Sequence, residues 1–210
     1  MIRTPFRSPL PTLVLVATSA VAVVLTAVAL TTPAQARPGQ ATVATTAAAP
    51  YCGITWGSAA KHGAANGPLH GALLTNVRAG RNTCFDRLVL DVRGTTALAS
   101  WRVEYVPRVT EDPSGRPVPL RGGAYLQIAV GASDHTDSNV PTYSPPNRRE
   151  LAAVSGFATF RQVAWAGSSE GMSSVGLGVR AQLPFRVSTM TGIPGSANGT
   201  RVVIDVAHRW

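Results

Sequence analysis

An all-β fold, a two-sheet β-sandwich of about eight strands, follows from three observations. The run Arg87-Leu88-Val89-Leu90-Asp91-Val92 returns near the C-terminus as Arg201-Val202-Val203-Ile204-Asp205-Val206. Both copies alternate with the strand period of two, Leu88, Leu90 and Val92 pointing one way and Arg87, Val89 and Asp91 the other. Further short alternating runs are separated by turn clusters from residue 50 onward. No segment there carries a convincing amphipathic helix, and regular short strands with turn chemistry read as a sandwich or barrel.

Residues 1–36 read as an export signal. Arg3 and Arg7 give a positive start, Leu13 to Leu30 is an uncharged apolar run, Thr31-Thr32-Pro33 breaks it, and Ala34-Gln35-Ala36 is a small-residue cleavage site. The run is long enough to serve as a membrane anchor, and an uncleaved signal is the only membrane contact expected. No Arg-Arg pair precedes it and no Cys lies near Ala36, so neither a twin-arginine route nor a lipid anchor is supported. Residues 37–50 (RPGQATVATTAAAP) read as a disordered Ala/Thr-rich linker, too small-sided to offset its ordering entropy. Residues 51–210 are then one domain, placed outside the cell or on the cell wall. There Cys52 and Cys84 pair as a disulfide. Its loop closure is worth roughly 3–4 kcal/mol in the chain-entropy model. Two cysteines without a C-x-x-C spacing make a poor zinc or redox site.

Cys52 to Gly71 reads as Gly-rich and irregular. Leu73 to Val77 is a short strand, with Ala79-Gly80-Arg81-Asn82 as its turn. Phe85 to Val92 follows. Trp101, Val103 and Tyr105 alternate with Arg102 and Glu104. After a loop at Pro113-Ser114-Gly115 comes a strand through Leu126, Ile128 and Val130. Ser133 to Pro146 is a polar, Pro-rich loop, and Arg148 to Val154 reads as one helical turn. Thr159, Arg161, Val163 and Trp165 alternate with Phe160, Gln162 and Ala164. Val175 to Ala181, Phe185 to Val187 and the Arg201 run complete the set, with a turn cluster over Gly192 to Gly199.

The whole chain carries 19 basic and 10 acidic residues, a net charge of +9, which becomes +7 without Arg3 and Arg7. Every basic residue but Lys61 is Arg. A positive balance outside a cell favours polyanionic wall polymers. No basic run exceeds Arg148-Arg149 and aromatic and basic residues do not interleave, so no nucleic-acid partner is expected.

Leu74-Thr75-Asn76-Val77-Arg78-Ala79-Gly80 and Phe85-Asp86-Arg87-Leu88-Val89-Leu90-Asp91 resemble the opening of an AMIN domain. Phe185-Arg186-Val187 and Arg201 to Val206 resemble its end. With Phe160 to Gly167 and Ala207-His208-Arg209-Trp210, the chain resembles the AMIN-like domain of secreted actinobacterial proteins over about residues 70 to 210. The resemblance implies a non-catalytic β-sandwich of the kind that directs cell-wall amidases and secretins to peptidoglycan. The stretch from Ser133 to Arg149 lengthens the middle of that pattern.

No catalytic residue, cofactor or metal is expected. Gly167-Ser168-Ser169-Glu170-Gly171 matches G-x-S-x-G, and Asp205 and His208 follow in hydrolase order. A nucleophile elbow needs a helix after the Ser, whereas a Gly-rich strand follows here, so the match reads as a hairpin turn. Asp134-His135-Thr136-Asp137 groups possible metal ligands, but a solvated loop of that composition needs no ion. Asn198-Gly199-Thr200 fits a glycan acceptor and reads better as a tight turn.

The candidate binding residues are Arg161, Trp165 and Arg180 on neighbouring strands, with Tyr143, Arg148 and Arg149 on the long loop. Aromatic faces stack on sugar rings and Arg forks pair with the carboxylates of peptide stems. Core burial is the competing assignment for Trp165, because Thr159 and Arg161 share its strand face while Phe160 lies opposite. The expected function is a secreted, non-enzymatic module that binds peptidoglycan or another cell-wall polymer. The alternative is a protein-interaction module that docks on an envelope enzyme or secretion complex.

Overall fold

The computed structural model describes residues 49–64 and 71–210; the expected export signal and most of the linker lie outside the described residues. Two antiparallel sheets face each other. Sheet A has the order β10-β11-β3-β2, from β2 (Leu73–Arg81), β3 (Phe85–Arg93), β10 (Phe185–Ile193) and β11 (Ser196–Ala207). Sheet B has the order β1-β4-β7-β9-β8, from β1 (Lys61–Ala64), β4 (Ser100–Val106), β7 (Ala124–Val130), β8 (Phe160–Ser169) and β9 (Met172–Val179). A small hairpin, β5 (Val109–Thr110) with β6 (Pro117–Val118), completes the set. The fold is the predicted sandwich.

The repeated hexapeptide explains the centre of sheet A. β3 and β11 pair antiparallel so that the two copies face each other, with Leu88 opposite Ile204 and Leu90 opposite Val202. These four side chains are fully buried and meet Val103, Leu126, Ile128 and Leu177 of sheet B in one core. Aligned sheets packed this way place alternate residues of every strand inside.

Register shifts break that alternation at four places, between Leu74 and Asn76, Phe160 and Gln162, Trp165 and Ser168, and Thr191 and Ile193, and two of them reorient core residues. In β2 the register shifts between Leu74 and Asn76, so Leu74 and Val77, three apart, both enter the core. In β8 it shifts between Phe160 and Gln162. The extra residue at Arg161 turns Phe160 onto the same face as Val163 and Trp165, and all three are core. The strict alternation read across Thr159 to Trp165 is therefore wrong at its start.

Several boundaries also differ from the sequence reading. Ala79 to Arg81 continue β2, and the turn falls at Asn82 to Cys84. Arg148 to Val154 forms turns and bends, not a helix. In the Gly192 to Gly199 cluster only Pro194-Gly195 is the turn; Gly195 has φ 80°, and Asn198 and Gly199 belong to β11. The Cys52 to Gly71 segment is not wholly irregular. It holds β1, which pairs with β4, and Gly57 accepts the Phe185 N–H at 2.9 Å. Cys52 and Cys84 are disulfide-bonded, as expected, and Trp56 packs against Phe85 beside that link.

The segment carrying β5 and β6 lies across the outer face of sheet B. Glycine makes room for it: a Cβ at Gly178 would stand 2.0 Å from the Arg121 carbonyl oxygen, and one at Gly176 2.9 Å from Leu120.

Candidate functional site

Gln162 assembles the candidate site. This side chain points to the outer face of β8, opposite Val163 and Trp165, where it is buried at 4% exposure. Its Oε1 accepts the Arg121 N–H at 2.7 Å, and its Nε2 donates to the Arg149 carbonyl at 2.9 Å. One amide thus clamps two loops that are distant in sequence. A buried amide with both ends paired is worth more in position than in net energy, because leaving either partner bare costs about 1–3 kcal/mol.

Beside this clamp lies an open groove of about 610 Å³, lined by Arg121, Glu150, Val154, Phe157, Phe160 and Arg161 among others. An adjoining depression of about 440 Å³ shares Arg121 and Glu150 and adds Arg149 and Asn147. Phe157 is half-buried and stacks on Phe160, with ring centroids 5.7 Å apart and planes 11° apart. The Arg81 guanidinium lies 5.8 Å over the Phe157 ring. Arg161 is anchored by donation to the Phe157 and Phe160 carbonyls at 3.2 and 2.8 Å. Arg121 pairs with Glu150 at 2.7 Å, and that bond raises its already high pKa. The groove therefore sets the Arg121–Glu150 ion pair and the carbonyl-anchored Arg161 beside the Phe157 ring, with a single carboxylate among its lining. Such a surface suits carboxylate or phosphate groups carried on a sugar or short peptide.

The structure brings together only part of the predicted set. Arg161 and Arg149 line the groove and its adjoining depression. Trp165 is 6% exposed and packs against Tyr143, centroids 5.4 Å apart, so it has no free face for a sugar. It is a core residue, on the same strand face as Val163. Tyr143 is half-buried over the same core, and burial pushes its hydroxyl up to about 12. Arg148 is exposed outside the groove. Its charge contributes weakly to holding Glu111 below the usual carboxylate range, an effect led by the Arg116 hydrogen bond. Arg180 turns to the chain end and donates to the His208 carbonyl.

Arg81, Arg121, Glu150, Phe157 and Gln162 escaped the sequence reading. Arg81 ends β2, Gln162 lies on β8, and Arg121, Glu150 and Phe157 come from two loops, so no periodicity or spacing links them. Only the Gln162 polar-face position was readable, and the bulge next to it was not.

The hydrolase match is not assembled. Ser169 pairs with Met172 across a hairpin whose central residues, Glu170 and Gly171, have φ of 51° and 77°, as a type I′ turn requires. Asp205 is held by Arg87 and Arg186, and His208 Nε2 lies 3.2 Å from Asp86. Asp86 is fully buried and accepts the Thr159 N–H and hydroxyl at 2.5 Å each, tying β8 to β3. Among the described residues no helix is long and apolar enough to cross a membrane.

A family model, the AMIN-like domain, matches residues 72–208. No curated protein and no solved structure matches. Domains of this kind are generally non-catalytic binding modules of the cell wall or of envelope proteins, typically periplasmic or extracellular. The Cys52–Cys84 disulfide fits such an oxidising compartment.

Proposed function

We propose that this chain, which belongs to the AMIN-like domain family, is exported and binds an acidic cell-wall polymer, peptidoglycan above all, without acting on it chemically. The observation that carries this reading is the groove, in which Arg121 and Arg161 flank the half-buried Phe157. Arg121, exchanging Glu150 for a stem-peptide carboxylate, would bind the peptide beside Arg161, and the exposed edge of Phe157 would line the sugar. The signal at residues 1–36 and the linker at 37–50 would deliver the domain to the wall and hold it there. Ser169, Asp205 and His208 take no part, since each serves the fold. Co-sedimentation of the exported protein with purified peptidoglycan tests the reading, with binding expected to weaken when Arg121 and Arg161 are both replaced by Ala. Failure to bind bare wall while an envelope protein is retained on the same groove would favour docking on an enzyme or secretion complex instead.

A further inference from the structure

Sheets of this kind must protect their edges, because an unpaired strand offers a row of N–H and C=O groups to any passing chain. Three of the four outer edges here are managed. The β8 edge is covered by the loop before it, the Leu151 N–H bonding the Val163 carbonyl at 2.8 Å and the Trp165 N–H the Arg148 carbonyl at 2.7 Å. The β2 edge is covered by the long polar loop, the Leu74 N–H bonding the Ser133 carbonyl at 2.7 Å and the Thr142 hydroxyl donating to the Leu74 carbonyl at 2.9 Å. β1 is only four residues long. The β10 edge is different. Gly57 covers its first residue, and beyond that no backbone group of the described residues pairs with it.

The orientation of the free groups follows from that one contact. The Phe185 N–H points outward to Gly57, so in an antiparallel ladder Val187, Thr189 and Thr191 also turn their backbone groups outward. Of these, the Thr191 carbonyl accepts Arg201 Nη2 at 3.3 Å. Ser188 to Thr191 are exposed, Met190 at 44%. From Val187 to Ile193 the strand has no charge and no proline, the two commonest edge guards.

We infer that this edge is a self-association strand, on which two copies of the chain pair antiparallel about a two-fold axis at Thr189. In that register Thr189 meets Thr189 of the second copy, and Val187 meets Thr191. The outward groups of the two copies then face each other in hydrogen-bonding positions. Arg186, the only charge on β10, falls opposite Gly192, so no like charges oppose along the strand, and the Thr191 carbonyl keeps its second lone pair for the Val187 N–H of the other copy beside Arg201. The remaining surface of a chain with net charge +7 without residues 1–36 is less suited to meeting its own copy. A pairing this short buries less than a permanent dimer needs, so the association is weak and concentration-dependent. Two linked grooves on one repeating polymer would bind by avidity.

Sedimentation equilibrium of the exported, oxidised protein, from about 10 μM to about 1 mM, tests the inference. The expected result is a reversible monomer–dimer equilibrium. Thr189→Lys places like charges face to face and raises the dissociation constant at least about tenfold, with an unchanged melting temperature. Thr189→Pro removes an outward N–H, which an edge strand tolerates, and does the same. A chain that stays monomeric throughout, whether or not it captures a foreign extended peptide, overturns the inference. So does a dimer that both folded variants leave intact.

Discussion

Arg87 of β3 lies opposite Asp205 of β11, and its Nε and Nη2 donate to the two carboxylate oxygens at 2.7 and 2.9 Å. The repeated hexapeptide is thus self-complementary. About a centre at Val89 and Val203, each Arg falls opposite the other copy's Asp. Neighbouring strands break the symmetry. Arg186 of β10 also donates to Asp205, at 2.8 Å, whereas Asp91 is held by Arg78 of β2 and not by its opposite, Arg201. Arg201 reaches the Thr191 carbonyl instead, and its buried Nε has no partner among the described residues.

Asp205 is 1% exposed while Arg87 and Arg186 are about a third exposed. Replacing it by Asn leaves Arg87 and Arg186 without their carboxylate. Losing a fully buried pair costs about 3–5 kcal/mol, and water reaching the arginines reduces this, so Asp205→Asn is expected to cost roughly 2–3 kcal/mol. Urea unfolding measures it. Asp91→Asn, which frees one Arg instead of two, is expected to cost less.

Gln162 is predicted to be a positioning residue. Gln162→Met keeps the volume but leaves the Arg121 N–H and the Arg149 carbonyl without this partner. The expected result is a loss of about 1–3 kcal/mol in stability, with wall affinity falling severalfold. Restored binding in Gln162→Glu, which can still accept from Arg121 but cannot donate to Arg149, would place the weight on the Arg121 arm. A binding assay with urea unfolding on the same samples separates the two effects.

Tyr105 and Tyr143 are both pushed up to about 12 by burial, from an ordinary 10.0, and the Tyr105 hydroxyl donates to the Leu183 carbonyl. A folded-state pKa above the unfolded one gives stability that is complete below pH 10 and lost as pH rises toward 12. Ultraviolet titration of phenolate is therefore expected to show two tyrosines ionising late, together with unfolding. Replacing both by Phe should remove that part of the alkaline loss.

Cys52–Cys84 joins residues 32 apart. Cys52→Ser with Cys84→Ser is expected to lower stability by roughly 3–4 kcal/mol in the chain-entropy model. It should also release the segment carrying Trp56 from Phe85, which tryptophan fluorescence reports. An unchanged denaturant midpoint would contradict this.

The sequence made β3 and β11 legible because both are central strands, paired on two sides, whose alternation runs unbroken through the repeated hexapeptide. The sandwich and the disulfide were legible for similar reasons, one from periodicity and one from parity and compartment. β8 was not. Its bulge at Arg161 costs one residue of register, which moves Phe160 inward and makes the outer-face position of Gln162 matter. Trp165 was read as a choice between core and platform, and burial decides for the core. The groove was illegible because Arg121, Glu150 and Phe157 converge only once Gly176 and Gly178 let the β5–β6 segment lie flat on sheet B.

The most direct measurement is co-sedimentation of the oxidised protein with purified peptidoglycan from low to well above physiological salt. The comparison sets wild type against Arg121→Ala with Arg161→Ala, and against Arg93→Ala with Arg108→Ala, a charge-matched pair outside the groove. A shaped groove predicts binding that survives high salt, an affinity at least about tenfold weaker in the first pair, and little change in the second. Binding that vanishes with salt and falls equally in both pairs would mean only that a basic protein meets a polyanion, and no binding at any salt would remove the wall as the ligand.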